Sequence, residues 1–252
     1  MKKALITGAS SGIGLQFSQT LKAQGWEVYG VARSEEKLKQ AFGDKYLVAD
    51  LSSEAGIVVL EKHLAEVKYD LLINNAGYGM YGCFEDLNIE GQLNMMHLNM
   101  DALVRLSYAY LRTAVKGDAL MNISSALSLL PMPGAAVYSA TKSFVTSFSE
   151  CLWYEFKNKG VYVFANLPGA VSTPFHENAG SNIEAMGEGM VLSPELIVKE
   201  ALATLANRAK PSFVNGLKYR FITKITQLLP RKVRLTQMAK NSPGLKGKSY
   251  YV

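Results

Sequence analysis

Lys3-Ala4-Leu5-Ile6-Thr7 runs straight into Gly8-Ala9-Ser10-Ser11-Gly12-Ile13-Gly14. The first five residues read as a short strand, and Ile13, Phe17 and Leu21 then recur at helical spacing until Gly25 ends the run. A glycine-rich turn between a strand and a helix start presents bare N–H groups and a partial positive charge, both suited to phosphate. Gly8 permits the tight turn, while Gly12 and Gly14 let backbone approach a ligand and helix approach sheet. A glycine-rich loop alone is an ordinary feature; the strand–turn–helix context is what selects dinucleotide binding. Thr7, Gly8, Ser10, Ser11, Gly12, Ile13 and Gly14 form the expected cradle.

Outward from this turn the pattern repeats. The next strand, Glu27–Ala32, ends in Ala32-Arg33-Ser34. NAD-binding domains often place an acid at this strand end to hold the ribose 2′-hydroxyl. Ala32 offers none, and Arg33 can instead pair with a 2′-phosphate, with Ser34 as a second donor. NADP(H) is therefore expected over NAD(H). A strand at 46–49 ends at Asp50-Leu51, a helix follows from 52 to about 67, and a fourth strand at 70–73 ends in Asn74-Asn75-Ala76-Gly77. Strands alternating with helices of this length indicate right-handed crossovers and an α/β doubly wound parallel sheet. Ligands on such sheets collect at the strand carboxyl ends, so the 8–14 turn, Arg33, Asp50, residues 75–77 and Ser125 should meet along one edge.

A second stretch carries reaction chemistry. Ser124-Ser125 follows the apolar run Ala119–Ile123, and Pro131, Pro133 and Gly134 mark a loop before Tyr138-Ser139-Ala140-Thr141-Lys142. Tyr138 and Lys142 stand one helical turn apart on one face. A phenol titrates near roughly 10, and a cation a few ångströms away favours the phenolate. Hydroxyl, phenol and ammonium together suit proton transfer at an oxygen on a substrate carbon. Tyr-x-x-x-Lys also occurs by chance on amphipathic helices, so its weight depends on the glycine turn upstream.

A length of 252 residues suits one large α/β domain and is short for two. Cys83 and Cys151 lie far apart without metal-ligand spacing, which excludes a zinc motif and makes buried thiols in a reducing compartment the expectation. Met1-Lys2-Lys3 is followed by too few apolar residues for a signal-peptide core, and no apolar run suits a spanning helix. A cytoplasmic protein is expected. Residues 201–252 hold eleven Lys and Arg and no Asp or Glu; the whole chain carries +6, which leaves −5 for residues 1–200. Phe221, Ile222, Ile225, Leu228 and Leu229 recur at helical spacing beside Lys218, Lys224 and Arg231, and Pro230 should break the helix. The plain expectation is an amphipathic helix docked on the domain. The sharper ones are contact with a membrane surface or an acidic acyl carrier; nucleic acid is not expected.

Thr7-Gly8-x-x-x-Gly12-x-Gly14, Asn74-Asn75-Ala76-Gly77, Asn99, Ser125, Tyr138-x-x-x-Lys142 and Pro168-Gly169 stand in the order and spacing of one family. Residues 1 to about 175 resemble the short-chain dehydrogenases/reductases. The resemblance implies a Rossmann-type sheet of about seven strands, ordered 3-2-1-4-5-6-7, with helices on both faces. It implies a nicotinamide-dependent oxidoreductase in which Tyr138 gives the proton and Ser125 orients the carbonyl oxygen. Lys142 would hold the nicotinamide ribose and depress the Tyr138 pKa, and Asn99 would keep a water linking Lys142 to solvent. Ser124 is the other candidate hydroxyl, but Ser125, 13 residues before Tyr138, has the family's offset. Further cofactor contacts implied are Asp50, Leu51, Asn75, Ala76, Gly77, Pro168, Gly169 and Thr173.

The same resemblance makes residues 1–192 the core, with 174–192 a mobile substrate lid, and 193–252 its last helix and strand with a basic extension. Met80, Tyr81, Leu127, Leu129 and Met132 should make the pocket apolar, with His176 an exposed lid residue, His63 a surface residue without a partner and His97 structural. Phe144, Phe148, Leu152 and Trp153 on the Tyr138 helix suggest a homodimer or homotetramer. The expected activity is NADPH-dependent reduction of a ketone or aldehyde, acyl-type carbonyls included. The alternatives are an alcohol dehydrogenase running oxidatively and a non-catalytic NADP-binding sensor.

Overall fold

Strand β1 (Lys3–Thr7) sends Ala4 and Ile6 to one side of the sheet and Leu5 to the other, all fully buried. That is the signature of a strand covered on both faces, and it holds across the centre of the sheet. The computed structural model describes residues 1–181, 183 and 186–245. After β1 come α1 (Gly12–Ala23), β2 (Glu27–Ala32), α2 (Glu35–Phe42), β3 (Tyr46–Val48), α3 (Glu54–Glu66) and β4 (Leu71–Asn74). Then follow α4 (Ile89–Met96), α5 (Leu103–Thr113), β5 (Ala119–Ile123), α6 (Ala136–Phe156) and β6 (Tyr162–Leu167). The chain continues through β7 (Ala170–Val171), α7 (Phe175–Asn178), β8 (Val191–Leu192), α8 (Pro194–Asn207), β9 (Ser212–Val214), α9 (Leu217–Leu228) and α10 (Arg231–Lys240).

Seven strands form one all-parallel sheet in the order β3-β2-β1-β4-β5-β6-β9. The parallel sheet is the one expected from the alternation of elements, and its Rossmann-type strand order is the one the family resemblance implies. The direction of winding reverses between β1 and β4, so the turns after Thr7 and after Asn74 flank the crevice at the switch point. One core lies between the sheet and α1, α2 and α8, built on Ile6, Phe17, Leu21, Leu38 and Phe164. The other lies under α3 and α5, built on Leu5, Ile57, Leu60, Leu72 and Tyr110.

Two local features depart from the simple pattern. The helix expected over 88–115 is continuous but contains a π-helical turn at His97–Ala102, which carries Asn99. Such wide turns re-aim side chains and recur at functional sites. The short strands β7 and β8 pair with each other outside the main sheet, so the segment between them leaves and returns at one place. Among the described residues no helix is long and apolar enough to cross a membrane.

Candidate active site

Thr7 is a buried knot at the switch point. Its Oγ1 accepts hydrogen bonds from the N–H groups of Asn75 (3.0 Å) and Ala76 (3.0 Å). Asn75 Nδ2 donates in return to the carbonyls of Thr7 (2.9 Å) and Gly8 (3.2 Å). The two turns are thereby fastened together. Gly8 has φ +64, the left-handed region. Gly14 is required by proximity: a Cβ there would lie 2.4 Å from the Gly8 carbonyl oxygen. Ser11 is the N-cap of α1, yet its hydroxyl makes no capping bond and the first turn carries no acid. The positive end of α1 is thus open toward the cleft, which Gly8, Ser10, Ser11, Gly12 and Ile13 line.

At the outer end of the cleft, Arg33, Ser34 and Asp50 follow β2 and β3. Arg33 is exposed, and Ser34 caps α2 without using its hydroxyl on the helix. Burial by itself would raise the Asp50 carboxyl, but bonds from Ser52 N (3.0 Å) and Oγ (2.7 Å), with Arg33 nearby, hold it below the usual range. Leu51 is buried in the adjoining core and also lines the cleft. Lys37, one turn into α2, joins Arg33 here. Two exposed cations beside a strand end that lacks an acid fit a 2′-phosphate, so the residues present fit NADP(H). Lys37 was not singled out from the sequence; its position three residues after Ser34 on a helix was the available signal.

Ser125, Tyr138 and Lys142 are brought together in the middle of the cleft. Ser125 follows β5, while Tyr138 and Lys142 lie on the first turns of α6. Lys142 Nζ sits 5.9 Å from the Tyr138 ring centroid and donates to the Ile123 carbonyl at 2.9 Å. Ser124, the alternative hydroxyl, is occupied structurally: its Oγ donates to the Lys142 carbonyl (2.8 Å) and pairs with Thr146 Oγ1 (2.7 Å). Burial pushes the Tyr138 phenol up to about 12, with a Ser125 hydrogen bond pulling the other way, and pushes the Lys142 ammonium down to about 8. The expected depression of Tyr138 by Lys142 is not what this geometry produces. Loss of solvent dominates, because Tyr138 is packed against the rings of Tyr81 (6.0 Å) and Phe175 (5.7 Å).

Asn99 lies behind this trio. Its Nδ2 donates to the Tyr78 carbonyl (3.0 Å) and to Thr141 Oγ1 (3.1 Å), and its Oδ1 accepts from Tyr78 N (3.2 Å). The side chain ties the 75–78 turn to α6. Gly77 is part of the same contact, since a Cβ there would lie 2.8 Å from Asn99 Oδ1 and 3.5 Å from Lys142 Nζ.

Pro168 and Gly169 turn the chain over the cleft, and Thr173 approaches the glycine turn: its Cγ2 lies 3.3 Å from where a Gly12 Cβ would be. The cleft measures about 1220 Å³. Tyr81, Leu127, Met132, Phe175 and Met186 line its apolar part, with Leu130 in place of the expected Leu129. Met80 packs against the Tyr138 cluster. Four expectations are corrected. His176 is buried, paired with Ser181 Oγ (2.8 Å), because the chain turns at Gly180 and brings Ser181 back against α7. His63 has a partner, the Tyr69 hydroxyl at 2.6 Å. Cys83 is buried, whereas Cys151 is exposed on the outer face of α6. The α9 stripe docks only in part: Ile222 and Leu229 are half-buried, whereas Phe221, Ile225 and Leu228 are exposed. Residues 182, 184 and 185 of the expected lid, and the tail's Lys246 and Lys248, lie outside the described residues.

Tyr219 was also missed from the sequence. A Cβ on Gly169 would lie 2.1 Å from its ring, and its hydroxyl accepts from Ala170 N (2.9 Å) and donates to the Met190 carbonyl (2.9 Å). One α9 side chain therefore joins the turn after β6 to the far end of the 174–192 segment.

With this geometry in place, the family model "short chain dehydrogenase" matches residues 2–184. The chain belongs to the short-chain dehydrogenase family and is an oxidoreductase acting on the CH–OH/C=O pair. It is 29% identical over 247 residues to the human very-long-chain 3-oxoacyl-CoA reductase, covering 91% of this chain and 77% of that protein. A short-chain dehydrogenase from Sphingobium yanoikuyae, solved in complex with NADPH, is 32% identical with a TM-score of 0.78 over 85% of this chain and 87% of that one. The bulky-bulky ketone specific alcohol dehydrogenase from Comamonas testosteroni is 28% identical with a TM-score of 0.75, covering 92% and 96%.

Proposed function

We propose that the chain is an NADPH-dependent carbonyl reductase for bulky apolar ketones or aldehydes, acyl-type carbonyls included. The carrying observation is that Ser125, Tyr138 and Lys142 share one cleft with the glycine turn. When bound, the reduced nicotinamide supplies hydride to the carbonyl carbon. Thr7, Gly8, Ser10, Ser11, Gly12, Ile13 and Gly14 would hold the pyrophosphate side, and Arg33, Ser34 and Lys37 the 2′-phosphate. Asp50 and Leu51 would flank the adenine, and Asn75, Ala76, Gly77, Pro168, Gly169 and Thr173 the nicotinamide half.

Tyr138 is the proton donor, and Ser125 holds the carbonyl oxygen beside it. A phenol pushed up to about 12 is protonated at neutral pH, the form a proton donor needs. Lys142 orients the ribose. Asn99 is a positioning residue that fixes the 75–78 turn against α6. Tyr81, Leu127, Met132 and Met186 receive the apolar substituents, a surrounding consistent with the substrates in the relatives' names. The 174–192 segment closes over the substrate. Tyr108 and Tyr154 are exposed on α5 and α6, and Phe144 and Phe148 stack on α6; these two helices would pair two copies.

A panel of ketones, aldehydes and 3-oxoacyl thioesters, read by NADPH consumption, tests the reading. Turnover should rise with the apolar bulk of the substrate. Tight NADPH binding with no turnover on any member would leave only a nucleotide-binding protein.

A further inference from the structure

Helix α9 is turned over relative to an ordinary surface helix. Such helices point their apolar stripe at the core and their polar face at water. Here the inward residues are Tyr219 and Thr223, both buried. The outward ones are Leu217 (78% exposed), Phe221 (67%), Ile225 (43%) and Leu228 (86%). At spacings of four, four and three they form one stripe along the helix. Lys224 is exposed beside it, and Arg231, Lys232 and Val233 continue the exposed surface where α10 begins. Residues 201–252 contain no Asp or Glu.

We infer that this face docks on an anionic lipid bilayer. The stripe enters the headgroup–acyl boundary, and Lys224, Arg231 and Lys232 meet the lipid phosphates. Charge selects the occupant: a two-fold pairing of this face would set the same cations against one another, whereas an anionic headgroup layer satisfies all of them. Ile222, between the stripe and the inward residues, lines the cleft together with Tyr219 and Met238. Docking therefore sets the mouth of the cleft at the lipid surface, where an apolar substrate enters without crossing water. The inference rests on α9 and holds whether or not the chain reduces carbonyls.

The full chain is floated with phosphatidylcholine vesicles, with and without phosphatidylglycerol. It should rise with the anionic vesicles only, and less so as salt increases. Phe221→Ser with Leu228→Ser should weaken that binding on the order of a hundredfold. Lys224→Glu with Lys232→Glu should weaken it about tenfold or more. Both variants should keep wild-type NADPH affinity and thermal unfolding, and Tyr138→Phe should float like wild type. Absence of vesicle binding, or unchanged binding in the serine variant, overturns the inference. So does a wild-type dimer that the serine variant dissociates in sedimentation velocity, which would assign the face to a second copy. Retention on an immobilised acidic acyl carrier without any vesicle binding overturns it as well.

Discussion

The glycine turn and α9 bound opposite ends of one cleft and are held by opposite means. At the turn, polar groups interlock: four hydrogen bonds join Thr7 and Gly8 at the first strand end to Asn75 and Ala76 at the fourth, and Gly14 touches backbone. Each motif residue there has a local requirement that few other residues meet. At α9 most apolar residues face outward, and the helix is tied to the turn after β6 by the Tyr219 hydroxyl and to the 174–192 segment by that hydroxyl and by Lys218 Nζ, which donates to the Glu188 carbonyl at 2.7 Å. The cofactor end is over-determined, and the substrate end hangs on few contacts. Changes at the first end should therefore abolish function or shift it in large steps, whereas changes at the second should tune access.

The largest expected effect is at Tyr138. Tyr138→Phe should lower kcat about 10²–10⁴-fold while leaving NADPH affinity nearly unchanged, measured by steady-state turnover and fluorescence titration. Comparable turnover would break the assignment of the proton donor. Next comes Lys142. Its ammonium, pushed down to about 8 by burial against an ordinary 10.5, releases its proton in the folded chain before the unfolded one does. Between those pH values the unfolded chain holds more protons, so stability rises with pH there, and the buried charge costs roughly 3 kcal/mol at pH 7. Lys142→Met should raise neutral-pH stability by part of that amount and flatten the rise between pH 8 and 10.5. Urea unfolding across the range checks it; an unchanged slope would mean the ammonium is solvated.

Arg33→Ala should cut the preference for NADPH over NADH about tenfold to a hundredfold, read from kcat/KM with each cofactor. If the preference survives until Lys37 is also removed, the second cation carries the 2′-phosphate. The smallest effect sharpens the contrast at the other end. Tyr219→Phe keeps the ring over Gly169 but loses both hydroxyl bonds, at a cost of about 1–2 kcal/mol. KM for the carbonyl should rise with kcat nearly unchanged. A collapse of NADPH binding instead would show that α9 governs the cofactor end too.

Much of the cofactor end was legible in the sequence. The strand–turn–helix of residues 3–23, the strand end without an acid before Arg33, and the one-turn spacing of Tyr138 and Lys142 all express requirements within a few residues. The choice of Ser125 over Ser124 came from the family's offset to Tyr138, and its physical reason is tertiary: Ser124 is held by Lys142 and Thr146. His176 shows the reverse case. Its surroundings as a lid residue suggested exposure, but the turn at Gly180 brings Ser181 back onto it and it is buried. Lys142 was expected to lower the Tyr138 pKa through charge, yet solvent exclusion by Tyr81 and Phe175 dominates, and those rings come from distant parts of the chain.

The family resemblance carried the strand order and the choice of Ser125, while the residues by themselves determined the parallel α/β sheet, the glycine turn and the one-turn pair of Tyr138 and Lys142. Each of the latter follows from backbone freedom, apolar period or a one-turn spacing, which neighbouring residues settle among themselves. Only the tertiary structure decided the burial of the phenol and its partner ammonium, the bridge made by Tyr219 and the outward turn of the α9 stripe. Periodicity shows that a helix has two faces, but which face meets the core depends on the surface waiting for it, and that surface is assembled from residues far away in the chain.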